Sequence, residues 1–180
     1  LGADAIGYTL YVGSPAQDRD IAQAGEVRRQ CERFGMPMVV WAYPRGSAIK
    51  TKGGQESLYA IDYAARVATE VGADIIKLNE PKWDAAAAKH APKPYDTLAF
   101  SDEEGLRKVV KSAGRSLVLV SGGDLLSDED EHRKAQIAMD AGCVGIIFGR
   151  NMWQRTWDDA LASCKRMHDL FARYSTVADA

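Results

Sequence analysis

Lys77 stands in the middle of Ala73-Asp-Ile-Ile-Lys-Leu-Asn-Glu-Pro81, a short apolar run that reads as a buried parallel strand. Desolvation in such a strand disfavours a charged ammonium, and an uncharged amine can attack a carbonyl to form a Schiff base. The other reading of the same residue is a salt-bridged lysine at a strand end. Tyr43 lies in Trp41-Ala-Tyr-Pro-Arg-Gly46, where Pro44 fixes a turn and Arg45 follows. A phenol near Lys77 can carry a proton to and from a substrate carbon or oxygen, whereas a tyrosine that only caps the sheet keeps its hydroxyl in water. Trp41 shares the strand face of Tyr43 and is expected to wall the pocket. Ser121-Gly-Gly123 and Gly149-Arg-Asn151 end two later runs. Glycines let backbone N–H groups approach an anion and an arginine fork completes such a site, although glycine pairs also mark ordinary turns. Together these residues favour Schiff-base chemistry on a phosphorylated carbonyl compound.

The elements must bring those residues to one edge. Five apolar runs recur, at residues 5–12, 38–43, 74–78, 117–120 and 144–148. Each is preceded by a glycine, at Gly2, Gly35, Gly72, Gly114 and Gly142, where a helix can end in a left-handed residue before the chain turns into a strand. Successive glycines are 28 to 42 residues apart, room for one strand, one helix and two loops. Ser14-Pro15 offers an N-cap followed by proline at the first helical position. Ser101-Asp-Glu-Glu104 is a capping box, and Ser127-Asp-Glu-Asp130 resembles one. Leu58, Ile61, Ala65 and Ala68 recur at helical intervals within residues 58–71, as do Leu161, Cys164, Met167 and Phe171 within residues 156–174.

Strands apolar on both faces, alternating with amphipathic helices, mean a parallel α/β sheet whose functional residues sit at the C-terminal strand ends. Five units cannot close the eight-stranded ring of a TIM barrel. The expectation is therefore either an open doubly wound sheet or the C-terminal part of a barrel whose first three units lie outside residues 1–180. The polar insertion at residues 83–100, with Pro92 and Pro94, is expected to form a loop over the active face.

Composition narrows the partners. Hydrophobic residues make up 46% of the 180 and charged residues 27%, with a net charge of −2, an ordinary globular balance that points to neither nucleic acid nor an anionic membrane. No apolar run approaches the roughly 20 residues of a membrane span. Cys31, Cys143 and Cys164 are an odd count at unrelated spacings, which suits reduced thiols in a cytoplasm. His90, His132 and His168 have no ligand spacing, so no metal is expected, and no dinucleotide, P-loop or nucleophile-elbow motif is present.

The segments Tyr8-Thr-Leu-Tyr-Val-Gly-Ser14, Trp41-Ala-Tyr-Pro-Arg-Gly46, Ala73-Asp-Ile-Ile-Lys77, Ser121-Gly-Gly123 and Gly149-Arg-Asn151 occur in the order of the archaeal-type class I fructose-1,6-bisphosphate aldolases, which the chain resembles over nearly its whole length. The resemblance implies a TIM (β/α)8 barrel in which the five strands here are the fourth to eighth, with residues 1–180 forming the C-terminal part of a single domain. It implies reversible cleavage of fructose 1,6-bisphosphate to glycerone phosphate and glyceraldehyde 3-phosphate, with no cofactor, by a cytoplasmic homo-oligomer. Lys77 falls on the Schiff-base lysine and Tyr43 on the proton-transferring tyrosine. Trp41, Arg45 and Asn79 fall on substrate contacts, and Ser121, Gly122, Gly123, Gly149 and Arg150 on the phosphate turns. Three departures stand out. The family's essential aspartate lies on a first strand that this chain lacks, Glu80 replaces a frequent tyrosine, and Asp124 stands where lysine is frequent. Related Schiff-base enzymes, a transaldolase-like synthase and a thiolase, are the alternatives, as is a non-catalytic phosphosugar-binding barrel.

Overall fold

The computed structural model describes residues 2–174. Five strands, β1 (Ile6–Val12), β2 (Met38–Pro44), β3 (Ile75–Leu78), β4 (Leu117–Ser121) and β5 (Gly145–Ile147), form one parallel sheet in the order β1-β2-β3-β4-β5. Helix α1 (Gln17–Phe34) links the first pair. The second link holds α2 (Ser47–Lys50) and α3 (Leu58–Glu70), and the third α4 (Ala85–Ala88) and α5 (Asp102–Ser112). Helix α6 (Asp128–Asp140) precedes β5, and α7 (Arg150–Trp153) and α8 (Trp157–Phe171) follow it.

The punctuation of the sequence explains these boundaries. Gly35, Gly72, Gly114 and Gly142 all take positive φ just past a helix, as does Gly2 before β1. Ser101 and Glu104 form the complete capping box at α5. At α6 the Ser127 hydroxyl accepts from Asp130 N at 3.1 Å but donates to the Asp130 carboxylate at 2.8 Å, because the shorter acid turns onto the hydroxyl. The start expected at Ser14-Pro15 moves. Ser14 Oγ accepts from Ala16 N at 3.3 Å, and α1 begins only at Gln17, whose side chain accepts from Gly13 N.

Burial alternates along the strands and separates two faces. Leu10, Val12, Met38, Val40, Ala42, Ile76, Leu78, Val118 and Val120 pack under the helices in one continuous core with Ala24, Cys31, Ile61, Ala65, Leu106, Val109 and Ala138. Each large aliphatic side chain sealed there contributes about 1.5–3 kcal/mol of hydrophobic stabilisation. The opposite face carries Thr9, Trp41, Lys77 and Leu119 along one rung and Tyr11 paired with Tyr43 further along. It has no helix of its own among the described residues. A sheet wound in strict order with its helices on one face is an arc of a (β/α)8 barrel, not the doubly wound sheet. β1 and β5 are its two edges.

The insertion at residues 83–100 does not cover the lysine. It folds through α4 onto α3: Tyr95 packs edge-on against Tyr59 at 5.5 Å and donates to Asp62 at 2.5 Å. Trp83 packs against Phe100 at 5.6 Å. These aromatic groups find apolar partners beside α3, and that settles the segment there.

Candidate active site

β3 delivers Lys77 to the face without helices, opposite Trp41 on β2 and Leu119 on β4. Its residue is 7% exposed, yet its two hydrogen-bond partners are uncharged: the nitrogen donates to the Tyr43 hydroxyl at 2.6 Å and to Ser121 Oγ at 3.1 Å. No carboxylate among the described residues pairs with it. The salt-bridged reading of this lysine is therefore excluded here. A buried amine held by a phenol and an alcohol is placed to add to a carbonyl, with a proton donor in direct contact.

Tyr43 reaches the lysine because β2 runs on to Pro44 and then turns. Arg45 N donates to Val12 O at 2.8 Å, and a Cβ on Gly46 would lie 2.6 Å from Gly13 O, so only glycine, at φ 100°, lets the β1 and β2 exits pack backbone to backbone. The Arg45 guanidinium lies 5.3 Å from the Tyr43 ring centroid and donates to Gln55 Oε1 at 3.2 Å. A cavity of about 760 Å³ opens beside these groups. Tyr43, Arg45, Asn79, Ser121, Gly122, Gly123 and Arg150 all line it.

Lys77 meets it only through Tyr43 and Ser121, and Trp41 and Gly149 do not line it. The Trp41 ring runs back over Gly7, where an added Cβ would lie 2.1 Å from the ring, so it fills the inner face two rungs below Tyr43. Gly149 sits beneath the Trp153 ring, 2.7 Å from a built Cβ. Gly122 reaches the cavity but its N–H is already spent on Ile147 O at 3.0 Å, and a Cβ there would strike Phe148 at 2.2 Å. Its role is close packing. Arg150 is paired with the Asp124 carboxylate.

Asn151, fully buried, staples the two glycine turns: Oδ1 accepts from Leu126 N at 2.7 Å and Nδ2 donates to Asp124 O at 2.9 Å. The cavity also holds Glu56, Lys82, Asp102 and the Glu80–Lys134 pair at 2.8 Å, none of which was expected as a site residue. Lys134 comes from the second turn of α6, a helix whose charged sequence reads as a solvated face. Burial pushes the Glu80 carboxyl above the usual carboxylate range, with Lys134 pulling it partly back.

A model of the DeoC/LacD family aldolases matches residues 1–155. The chain belongs to this family. Within it, the chain is 34% identical over 171 residues to the class 1 fructose-bisphosphate aldolase of Thermoproteus tenax, covering 94% of this chain and 56% of that enzyme. Among solved structures it is similar to an archaeal fructose-1,6-bisphosphate aldolase with its catalytic lysine bound to the carbinolamine intermediate (TM-score 0.77, 31% identity, 94% of this chain and 59% of that one). It is also similar to the fructose-bisphosphate aldolase of Slackia heliotrinireducens (TM-score 0.80, 28% identity, 96% and 50%). This DeoC/LacD family chain thus spans about half the length of the relatives it matches. These barrels confirm the fold expected from the sequence.

Proposed function

We propose that the protein containing this chain is a class I aldolase that cleaves fructose 1,6-bisphosphate through a Schiff base on Lys77. The observation that carries the reading is a buried lysine with no counter-ion among the described residues, hydrogen-bonded to Tyr43 and Ser121, which themselves line a cavity shared with Arg45 and Arg150. The family and the intermediate trapped in its relative support the same chemistry.

The Lys77 amine adds to C2 of the ketose, and loss of water leaves an iminium. The C4 hydroxyl gives up its proton as the C3–C4 bond breaks, and the electron pair of that bond flows to the iminium nitrogen. Glyceraldehyde 3-phosphate leaves, and Lys77 holds an enamine. Tyr43 delivers a proton to C3, and water hydrolyses the iminium to release glycerone phosphate and the free amine. The base for the C4 hydroxyl is expected from barrel strands outside these residues.

A cytoplasmic homo-oligomer is the proposed setting. Exposed Trp153 on α7 and Trp157 and Leu161 on α8 support a protein–protein contact. No helix among the described residues is long and apolar enough to cross a membrane.

Borohydride reduction of the intact protein with fructose 1,6-bisphosphate tests the assignment. Mass spectrometry should find one adduct, on Lys77, and Lys77→Ala should lose both adduct and turnover. Turnover that survives Lys77→Ala rules the reading out.

A further inference from the structure

Ser121 Oγ lies 3.1 Å from the Lys77 nitrogen, and Gly122 and Gly123 continue from it. In the proposed Schiff base, C1 is one bond from the carbon joined to the Lys77 nitrogen, which puts its substituent within reach of this turn. A phosphate there needs a cation. Arg150 is a poor candidate because it and its partner Asp124 are largely solvated, at 50% and 88% exposed. The Gly122 N–H is committed to Ile147 O. Lys134 is the cation that reaches the turn from inside: its nitrogen is 4.0 Å from the position a Gly123 Cβ would take, and its side chain is 18% exposed. It is held by Glu80, itself 21% exposed, from the exit of β3.

Resting on the aldolase reading, we propose that Lys134 is the cation that binds the C1 phosphate of the substrate, and that Glu80 is the positioning residue that holds its ammonium at the Ser121–Gly123 turn. An ion pair set into a cavity wall has given up much of its hydration, so an incoming dianion meets an ammonium already stripped of water and aimed. A pair that only tethered α6 to β3 would change stability without reading the substrate.

The test uses the intact protein with substrates that differ at C1. In Lys134→Met, KM for fructose 1,6-bisphosphate and for fructose 1-phosphate should rise about tenfold or more, the loss expected for a charge-assisted hydrogen bond. With fructose 6-phosphate, which has no C1 phosphate, kcat/KM should change less than threefold. Lys134→Arg should recover most of the lost affinity. Equal losses with all three ketoses, or no change in any, overturn the proposal. Calorimetric titration with inorganic phosphate separates it from the aldolase reading. Phosphate binding weakened about tenfold in Lys134→Met, beside a wild type that forms no borohydride adduct, keeps the anion site and discards the aldolase. A wild type that traps substrate on Lys77, with phosphate binding the same in both proteins, keeps the aldolase and discards the role of Lys134. Glu80→Ala, which releases the ammonium, should weaken phosphate binding in the same direction as Lys134→Met, and unchanged or tighter binding contradicts its positioning role.

Discussion

The hydroxyl of Tyr43, 2.6 Å from the Lys77 nitrogen, is close enough to serve any atom bonded to that nitrogen. Under the proposed mechanism, replacing it separates nucleophile from proton carrier. Tyr43→Phe in the intact protein should still form the borohydride-trapped adduct, while kcat falls about 10²–10⁴-fold, the usual worth of a positioned acid. Exchange of the C3 proton of glycerone phosphate with solvent should slow in step. Unchanged exchange would assign the proton to another group. Glu80 gives a second residue-scale expectation. Its carboxyl is raised by burial, so the folded protein holds that proton more tightly than the unfolded chain does. Its contribution to stability is then greatest below the unfolded value, about 4.3, and declines as pH rises through the raised folded value. Urea unfolding of wild type and Glu80→Gln should show the wild type losing ground to the variant as pH rises from the unfolded value through the raised folded one. A difference that stays flat contradicts the direction.

Among the elements, the insertion at residues 83–100 is held at Asp62 on α3, which is 4% exposed and accepts from Tyr95 at 2.5 Å and from Lys108 on α5 at 2.7 Å. Asp62→Ala strands both donors. Because Lys108 is about one-third exposed, water recovers part of that loss, and the expected cost is about 2–3 kcal/mol. Limited proteolysis should cut within residues 83–100 sooner in the variant, and an unchanged cleavage pattern would show that the aromatic contacts suffice. The sequence shows why Asp62 passes unnoticed, since one acid within an apolar helix stripe carries no periodic signal. The strands and most helix starts were legible because glycine, serine and acidic residues act over three or four positions. Lys77, Tyr43 and the Ser121 turn were legible because strand ends in parallel sheets share an edge. The direction of the Trp41 ring and the committed N–H of Gly122 were not, because both depend on neighbouring strands: Gly7 on β1 and Ile147 on β5. Lys134 escaped because the rotation of α6 over the sheet decides which of its charges faces inward.

For the whole molecule, two unpaired edges and a face without helices have a measurable outcome. β1 and β5 each offer a row of unpaired backbone groups, and Trp41 and Leu119 lie on the uncovered side. Residues 1–180 expressed alone should associate, eluting well above 19.6 kDa and binding a hydrophobic dye, whereas the intact protein should form a discrete species. A monodisperse 19.6 kDa particle with cooperative unfolding would mean the arc is self-sufficient.

The strict order of the sheet also sets a timetable. Every strand lies beside the one made just before it, so each pairing can close a loop of only one unit, a small entropic step. At ribosomal speed a unit of about 35 residues emerges in roughly 2–7 s, far longer than a helix or a strand pair needs to form. The sheet can therefore grow in the order of its synthesis, its newest strand always the exposed one. Ring closure joins the last strand to the first, and no earlier pairing can substitute for it. Under the proposed function, Lys77 and Tyr43, on neighbouring strands, would meet before the ring that puts them to use is closed.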